Sequence, residues 1–341
     1  MDTVANTVSI STNLNVSPYY DDFDETKNFH RILFRPGLAV QARELTQMQS
    51  IIQNQIDRFA ENIFKEGSIV RGCQATYEQD IEYIKLRDNS STGQSVNAAA
   101  FLGKTITGST NKIQATVIDT SVGAEANTPD FKTLFVKYIG ANTNGTKFIA
   151  NGEVITASGG LTANLISASA GGTGSRITLQ SGIIFAKDHF INVPKQTLIL
   201  DKYSSNVSYK VGYTITESII TETNDSSLLD PASGAYNYAA PGAARFKIVA
   251  TLAKTALTTA SSNNFVQLIE IKNGFILKND SGKSQYNILK DYIAERTNDE
   301  SGDYIVRGLS TRLREHLDAA NNQGVYVSGL GGNSSLLVLD I

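Results

Sequence analysis

One segment constrains this chain more than any other: "RPGLAVQARELTQMQSIIQNQIDRFAENIFKEG", residues 35–67. Between Gly37 and Gly67 it holds good helix formers and neither Pro nor Gly. Pro36 suits a helix start, and Gly67 suits the position just past an end. The segment therefore reads as a single helix over 37–66. Its apolar residues make a narrow stripe. Leu38, Leu45, Ile52 and Phe59 recur every seven residues, with Met48, Ile56 and Ile63 beside them. That is a heptad-like seam. Gln41, Gln55 and Asn62 share it. In a monomer's core each unmet amide would cost about 1–3 kcal/mol. In a symmetric bundle, copies of one amide face each other and pair, which fixes register and oligomer state. The alternative is an ordinary domain helix whose amides sit at the edge and reach water.

The chain has 341 residues, room for two domains at about 100–200 residues each. Only 18% are charged, so its surface relies on uncharged polar groups. Stretches rich in Ser, Thr, Asn and Gly fit β-rich extracellular or virion proteins. The net charge is −3 and no block of like charge is long, with Arg31, Arg35 and Arg43 making only a loose patch. No nucleic acid is expected as a partner. Cys73 is the single cysteine, so no internal disulfide can form, and it reads as a small buried side chain. No apolar run approaches the ~18–20 residues of a membrane helix, so no membrane partner is expected. The start, "MDTVANTVSISTNLN", lacks the basic and apolar parts of a secretion signal. Synthesis and folding are expected in a cytoplasm.

Residues 1–36 read as an extended docking arm, with Tyr19, Tyr20, Phe23 and Phe34 as its aromatic contacts beside an acidic run. The helix over 37–66 follows. A β-rich core is expected over 67–88 and 176–341, where "DIEYIKL" alternates and Asn273–Gly274 marks a hairpin turn. Between them, 89–175 shows short apolar pieces separated by Gly and Asn turns, an inserted small β domain. The fold class expected is mainly β with one long N-terminal α-helix, antiparallel sheets, and an inserted small β-barrel or sandwich. "SQYNILKDYIAERT" has Tyr286, Leu289, Tyr292 and Ile293 at helical spacing. The tail ends on an apolar run that suits a partner strand or more chain.

Motifs that carry chemistry are missing. "GKS" at Gly282–Ser284 has Leu277 where a phosphate loop needs Gly, and "GLGGNS" at Gly329 lacks a third Gly. His30, His189 and His316 are scattered and form no local zinc pair. The acidic runs Asp21–Glu25 and Asp299–Asp303 do not follow calcium-loop spacing. They read as solvated turns or partners of nearby arginines, Arg31 and Arg35 for the first, Arg296 and Arg307 for the second. No cofactor, metal or catalytic residue is expected.

Three long strings carry a resemblance. "NLNVSPYYDDFDETKNFHRILFRPGLAVQARELTQMQSIIQNQIDRF" resembles the start of virion structural proteins of tailed phages, especially phages of cyanobacteria, usually labelled tail-fibre or baseplate proteins. "GIIFAKDHFINVPKQTLILDKYSSNVSYKVGYTITESIITE", with "LLDPASGAYNYAAPGAARFKI", is similar to their central block, and "ERTNDESGDYIVRGLSTRLREHL" to the next. The likeness covers most of the chain outside 89–175. It implies a non-enzymatic, oligomeric virion part at the baseplate or tail, made in the host cytoplasm. Relatives usually run on past this point, which favours a short adaptor or a truncated relative. The helix would then pack on its own copies, a trimer being favoured, or on another tail or baseplate protein. Leu38, Leu45, Met48, Ile52, Gln55, Phe59, Asn62 and Ile63 would form that seam. A second reading is a receptor- or glycan-binding fibre module, read through loops near Asn111, Asn127 and Asn142. A cell-wall hydrolase using Asp299 or Asp303 is a third.

Overall fold

The computed structural model describes residues 12–90, 93–139, 149–260 and 262–302, and beyond them only the backbone of short strands between 312 and 340. The chain is mainly β and its sheets are antiparallel. It divides into two compact units, Met1–Ile288 and Leu289–Ile341.

In the first unit, α1 (Ala42–Glu61) precedes β1 (Ile69–Gly72) and β2 (Ala75–Leu86). Five strands follow: β3 (Thr105–Gly108), β4 (Gln114–Ser121), β5 (Lys132–Tyr138), β6 (Val154–Ala157) and β7 (Thr162–Asn164). Next come β8 (Gly171–Leu179), β9 (Gly182–Ala186), β10 (His189–Val193) and β11 (Gln196–Asp201). The last strands are β12 (Tyr209–Ile220), β13 (Arg245–Ala256), β14 (Phe265–Lys272) and β15 (Phe275–Asn279); α2 (Gln285–Ser301) follows, most of it in the second unit. Among the described strands of the second unit, β16 (Arg312–Glu315) pairs with β21 (Leu337–Asp340). There β17 (Leu317–Asp318) also pairs with β18 (Asn322–Gln323), and β19 (Val325–Val327) with β20 (Asn333–Ser335).

Eight strands in the order β11-β8-β2-β5-β4-β3-β6-β7 make a curled half-barrel sheet. A three-stranded sheet, β1-β9-β10, and a four-stranded one, β13-β12-β14-β15, complete the first unit. Ile84, Leu86, Phe101, Ile106, Leu134 and Ile155 belong to one core, and Ile69, Ile177, Ile184, Val211, Tyr213 and Ile271 to another. Alternation in "DIEYIKL" holds from Asp80 to Tyr83 and stops at Ile84, after which every residue of β2 is buried. From Glu82 on the strand has β5 beside it, with β8 on its other side as far as Ile84, and even Lys85 is buried. The Lys85 ammonium lies 4.2 Å from the Tyr203 ring centroid, and burial lowers its pKa.

Several expectations change. The helix is not 37–66. Gly37 is left-handed and Leu38 N–H donates to Arg35 O, so the chain turns before α1 begins. At the other end, Ile63 and Phe64 N–H both donate to Ala60 O, closing the helix early. Nor is it the only helix of such size, since α2 has 17 residues. Residues 209–220 form one continuous strand, β12. Residues 89–175 supply β3 to β7 and the start of β8, hydrogen-bonded into one sheet with β2.

Gly212 sits where the β12–β14 register shifts, and a Cβ there would fall on the Val266 carbonyl. Backbone cannot yield as a flexible side-chain tip can. Gly212→Ala is therefore expected to cost about 2 kcal/mol or more, read as a lower urea midpoint at unchanged slope.

Candidate functional site

Local chemistry explains α1. Gln, Glu, Leu, Met and Arg favour the helix, and Glu44 Oε2 accepts the Gln41 N–H at 2.8 Å to close its first turn. Asn62 ends it by donating its side-chain amide to Arg58 O at 2.6 Å. Gln41 and Asn62 thus serve the two ends, not the middle of a seam. Leu38 and Ile63 fall outside the helix.

The helix is turned the opposite way from a usual domain helix. Only Ile51 and Ala60 are buried. The rest of the inward side is polar: Gln47, Ser50, Gln53, Asn54 and Asp57. Leu45, Met48, Ile52, Ile56 and Phe59 occupy the far side, where Ile52 is 56% and Phe59 70% exposed. At 100° per residue, Ile52 and Phe59 stand about 160–180° from Ser50, whose hydroxyl is held by the arm. Five large apolar side chains thus face solvent in one stripe. Leu38 and Ile63 are exposed as well, and Gln55 lies exposed beside the stripe.

The inward side is polar because the arm crosses it. The Ser50 hydroxyl donates to Asp21 Oδ2. Arg43 and Gln47 both reach Asp22 at 3.3 Å, and Arg58 reaches Glu25 at 3.0 Å. Hydrogen bonds from Arg58 and Asn54 hold the Glu25 carboxyl below its ordinary range. The acidic run therefore pairs with Arg43 and Arg58, not with Arg31 and Arg35. Proximity in space outweighs proximity in sequence here. Of the arm's aromatics, Phe23 faces a crevice with Ile51 and Gln55, and Tyr19 is half-buried. Tyr20 and Phe34 remain exposed.

Beyond its last turn, α1 meets the β9–β10 hairpin. Phe64 packs against Phe185 and Phe190, at 6.1 and 5.6 Å between ring centroids. The hairpin turns at Lys187 and Asp188, both left-handed with φ of 53° and 61°. Such a turn usually takes Asn and Gly. Lys187 points inward to Glu217 on β12, 3.6 Å away. Asp188 instead joins Asp57 and Glu61, with carboxylate oxygens all within 4.8 Å of one another. Gln53 Nε2 bonds Asp188 O at 2.7 Å, and Glu66 Oε1 accepts Lys187 N–H at 2.9 Å. Burial is the main cause that raises Glu66 to about 7 and Asp57 to about 6, with neighbouring carboxylates adding to it.

These shifts set a pH dependence. The folded state holds protons that the unfolded chain has released, so Glu66 stabilises most below about pH 4.5 and its contribution disappears as pH rises through about 7. Glu66→Gln is expected to raise stability by about 2 kcal/mol at pH 8 and by nothing at pH 4, measured by urea unfolding at both.

The remaining expected sites are not gathered. Cys73 is buried against Tyr213 and its pKa is raised. His30 and His189 lie apart in the sequence, and His316 is outside the described residues. Glu300 pairs with Arg296 at 3.0 Å; Asp303, Arg307 and Asn142 are outside the described residues. Asn127 ends a short 3-10 helix. Asn111 lines a cavity of about 580 Å³ with Glu82, Tyr83, Tyr138 and Asn151. Among the described residues, no helix is long and apolar enough to cross a membrane. Glu66, Lys187, Asp188 and Glu217 were missed by sequence reasoning. The two-residue gap in "IIFAKDHFINV" was the available signal for the turn.

A family described as a domain of unknown function, DUF4815, matches residues 17–90 and 148–332. The match takes in the arm from Ser17 onward, α1 and the β9–β10 hairpin, and passes over 91–147. No curated protein and no solved structure matches the chain.

Proposed function

The chain belongs to the DUF4815 family, and from the outward apolar stripe of α1 we propose that it is a non-enzymatic structural part of a tailed-phage virion, an oligomeric adaptor of the baseplate or tail-fibre region. The observation that carries the reading is the orientation of α1. Its polar side is occupied by the arm and the hairpin, so Leu45, Met48, Ile52, Ile56 and Phe59 have no cover within the described residues. Each gives about 1.5–3 kcal/mol when buried. The same helix on another copy offers the matching heptad seam, with Gln55 at its edge to pair across it, and three copies satisfy such an amide symmetrically. The resemblance of the quoted strings to tail-fibre and baseplate proteins supports the setting.

Light scattering on the purified chain tests the assembly, and a threefold mass is expected. A single-chain mass at high concentration would sink self-assembly. Gold-labelled antibody on phage particles encoding the chain tests the setting, with label expected at the tail end.

A second reading rests on the cavity beside Asn111. Around about 580 Å³, two tyrosines, Ile149 and Ala150 give apolar faces, and Asn111, Asn151 and Glu82 give polar groups, a mixture that suits a glycan. Tyr138→Ala is expected to remove binding of host-surface glycan by the full chain. Absence of binding in the unaltered protein leaves the adaptor reading alone.

A further inference from the structure

We propose that Asp57, Glu61, Glu66 and Asp188 form an acid-tightened clasp that seats the last turn of α1 on the β9–β10 turn and relaxes as the carboxyls ionise. It stands whether or not α1 assembles with other copies.

Four carboxyls from three pieces of chain meet here: two from α1, one from the segment that follows it, one from the hairpin turn. The Asp57, Glu61 and Asp188 oxygens lie within 4.8 Å of one another. Ionised together, they repel across the contact between helix and hairpin. Protonated, a carboxyl becomes a donor and bridges to its neighbour. Asp57 Oδ1 is buried with no hydrogen-bond partner, so it is placed to gain from such a bridge.

The surrounding charges offset the repulsion only in part: Lys187 favours the ionised form of Glu66, but burial and the neighbouring carboxylates outweigh it. On α1, Arg58 is turned to Glu25 at 3.0 Å. Glu25 itself adds negative charge near Asp57. On the hairpin, the Lys187 ammonium is directed to Glu217 of β12 at 3.6 Å, and the His189 Nδ1 contacts Lys187 O at 2.7 Å. The raised values of Asp57 and Glu66, about 6 and about 7, place the change near neutrality. The contacts independent of charge are the Gln53 bond to Asp188 O, the rings of Phe64, Phe185 and Phe190, and two backbone bonds further on, Gly67 N–H to Phe185 O and Phe185 N–H to Ser68 O. The backbone bonds hold the chain from Gly67 onward at either pH, so the proton governs the last turn of α1 before them.

Hydrogen exchange on the full chain at pH 5.5 and pH 8, corrected for the intrinsic rate, reads the clasp directly. Amides of Gln53–Glu66 are expected to open about tenfold more at pH 8, the factor one pKa unit represents. Amides of β12 and β13 should not change. In Asp57→Asn/Glu66→Gln, whose fold is checked by circular dichroism, the difference should vanish. Equal opening at both pH values in the unaltered chain, or a difference that survives in the variant, overturns the proposal. A second readout covers the case where that variant misfolds. The chain has no Trp, so Phe190→Trp places one emitter against Phe64. Its emission should move to longer wavelength between about pH 6 and 7. An unchanged spectrum across that range also overturns the proposal.

Discussion

Ile52→Asp is expected to convert a threefold mass into a single-chain mass without unfolding the protein. Ile52 is 56% exposed in the isolated chain and touches solvent on the side of α1 away from the arm. Its replacement should shift the chain's own stability by no more than about 0.5 kcal/mol. Assembly is another matter. Three copies each lose about 1.5–3 kcal/mol of buried apolar surface, roughly 5–9 kcal/mol in all. Each also brings a carboxylate to a shared seam, where like charges repel. Light scattering and thermal unfolding on the same sample separate the two effects. An unchanged mass would place the contact elsewhere. A lost mass with a lost melting transition would mean that Ile52 supports the fold. Gln55→Leu should behave differently, keeping or strengthening association while loosening the number of copies, because a paired amide selects register at some cost in stability.

Lys187→Met is expected to cost about 3–5 kcal/mol. The Lys187 and Glu217 side chains are 3% and 6% exposed, and their charged atoms lie 3.6 Å apart. Glu217 Oε2 also accepts from the Thr12 N–H at 2.9 Å and its hydroxyl at 2.6 Å. Removing the lysine takes the ammonium away from a buried carboxylate. Removing both charges, in Lys187→Met/Glu217→Gln, should recover most of the loss, because a buried pair contributes little beyond its own desolvation. Urea midpoints of the single and double variants decide it. A single variant within about 1 kcal/mol of the unaltered chain would show that solvent reaches the pair.

The sequence was informative where structure is local. Helix formers and a seven-residue stripe marked α1, although not where it starts and stops. Those limits came from a left-handed Gly37 and from Phe64 turning onto Phe185 and Phe190. Asn273 and Gly274 marked a hairpin turn that the structure builds with both residues left-handed. Lys187 and Asp188 make the same kind of turn without the usual residues, so that hairpin showed only in its spacing. The acidic run was legible as a partner for arginines, but not which ones. Asp22 and Glu25 reach Arg43 and Arg58.

The sequence by itself determined that a helix with one apolar stripe would form and that a mainly β body would follow it. Periodicity follows from backbone geometry, and each residue carries its own preference into it. Tertiary structure alone decided that the stripe faces outward. A stripe records which side chains share a face, not what covers that face. That depended on Asp21, Asp22 and Glu25 taking the polar side and on Asp188 arriving beside Asp57 from more than a hundred residues away. Contacts between segments so far apart depend on chain path, which no local pattern encodes.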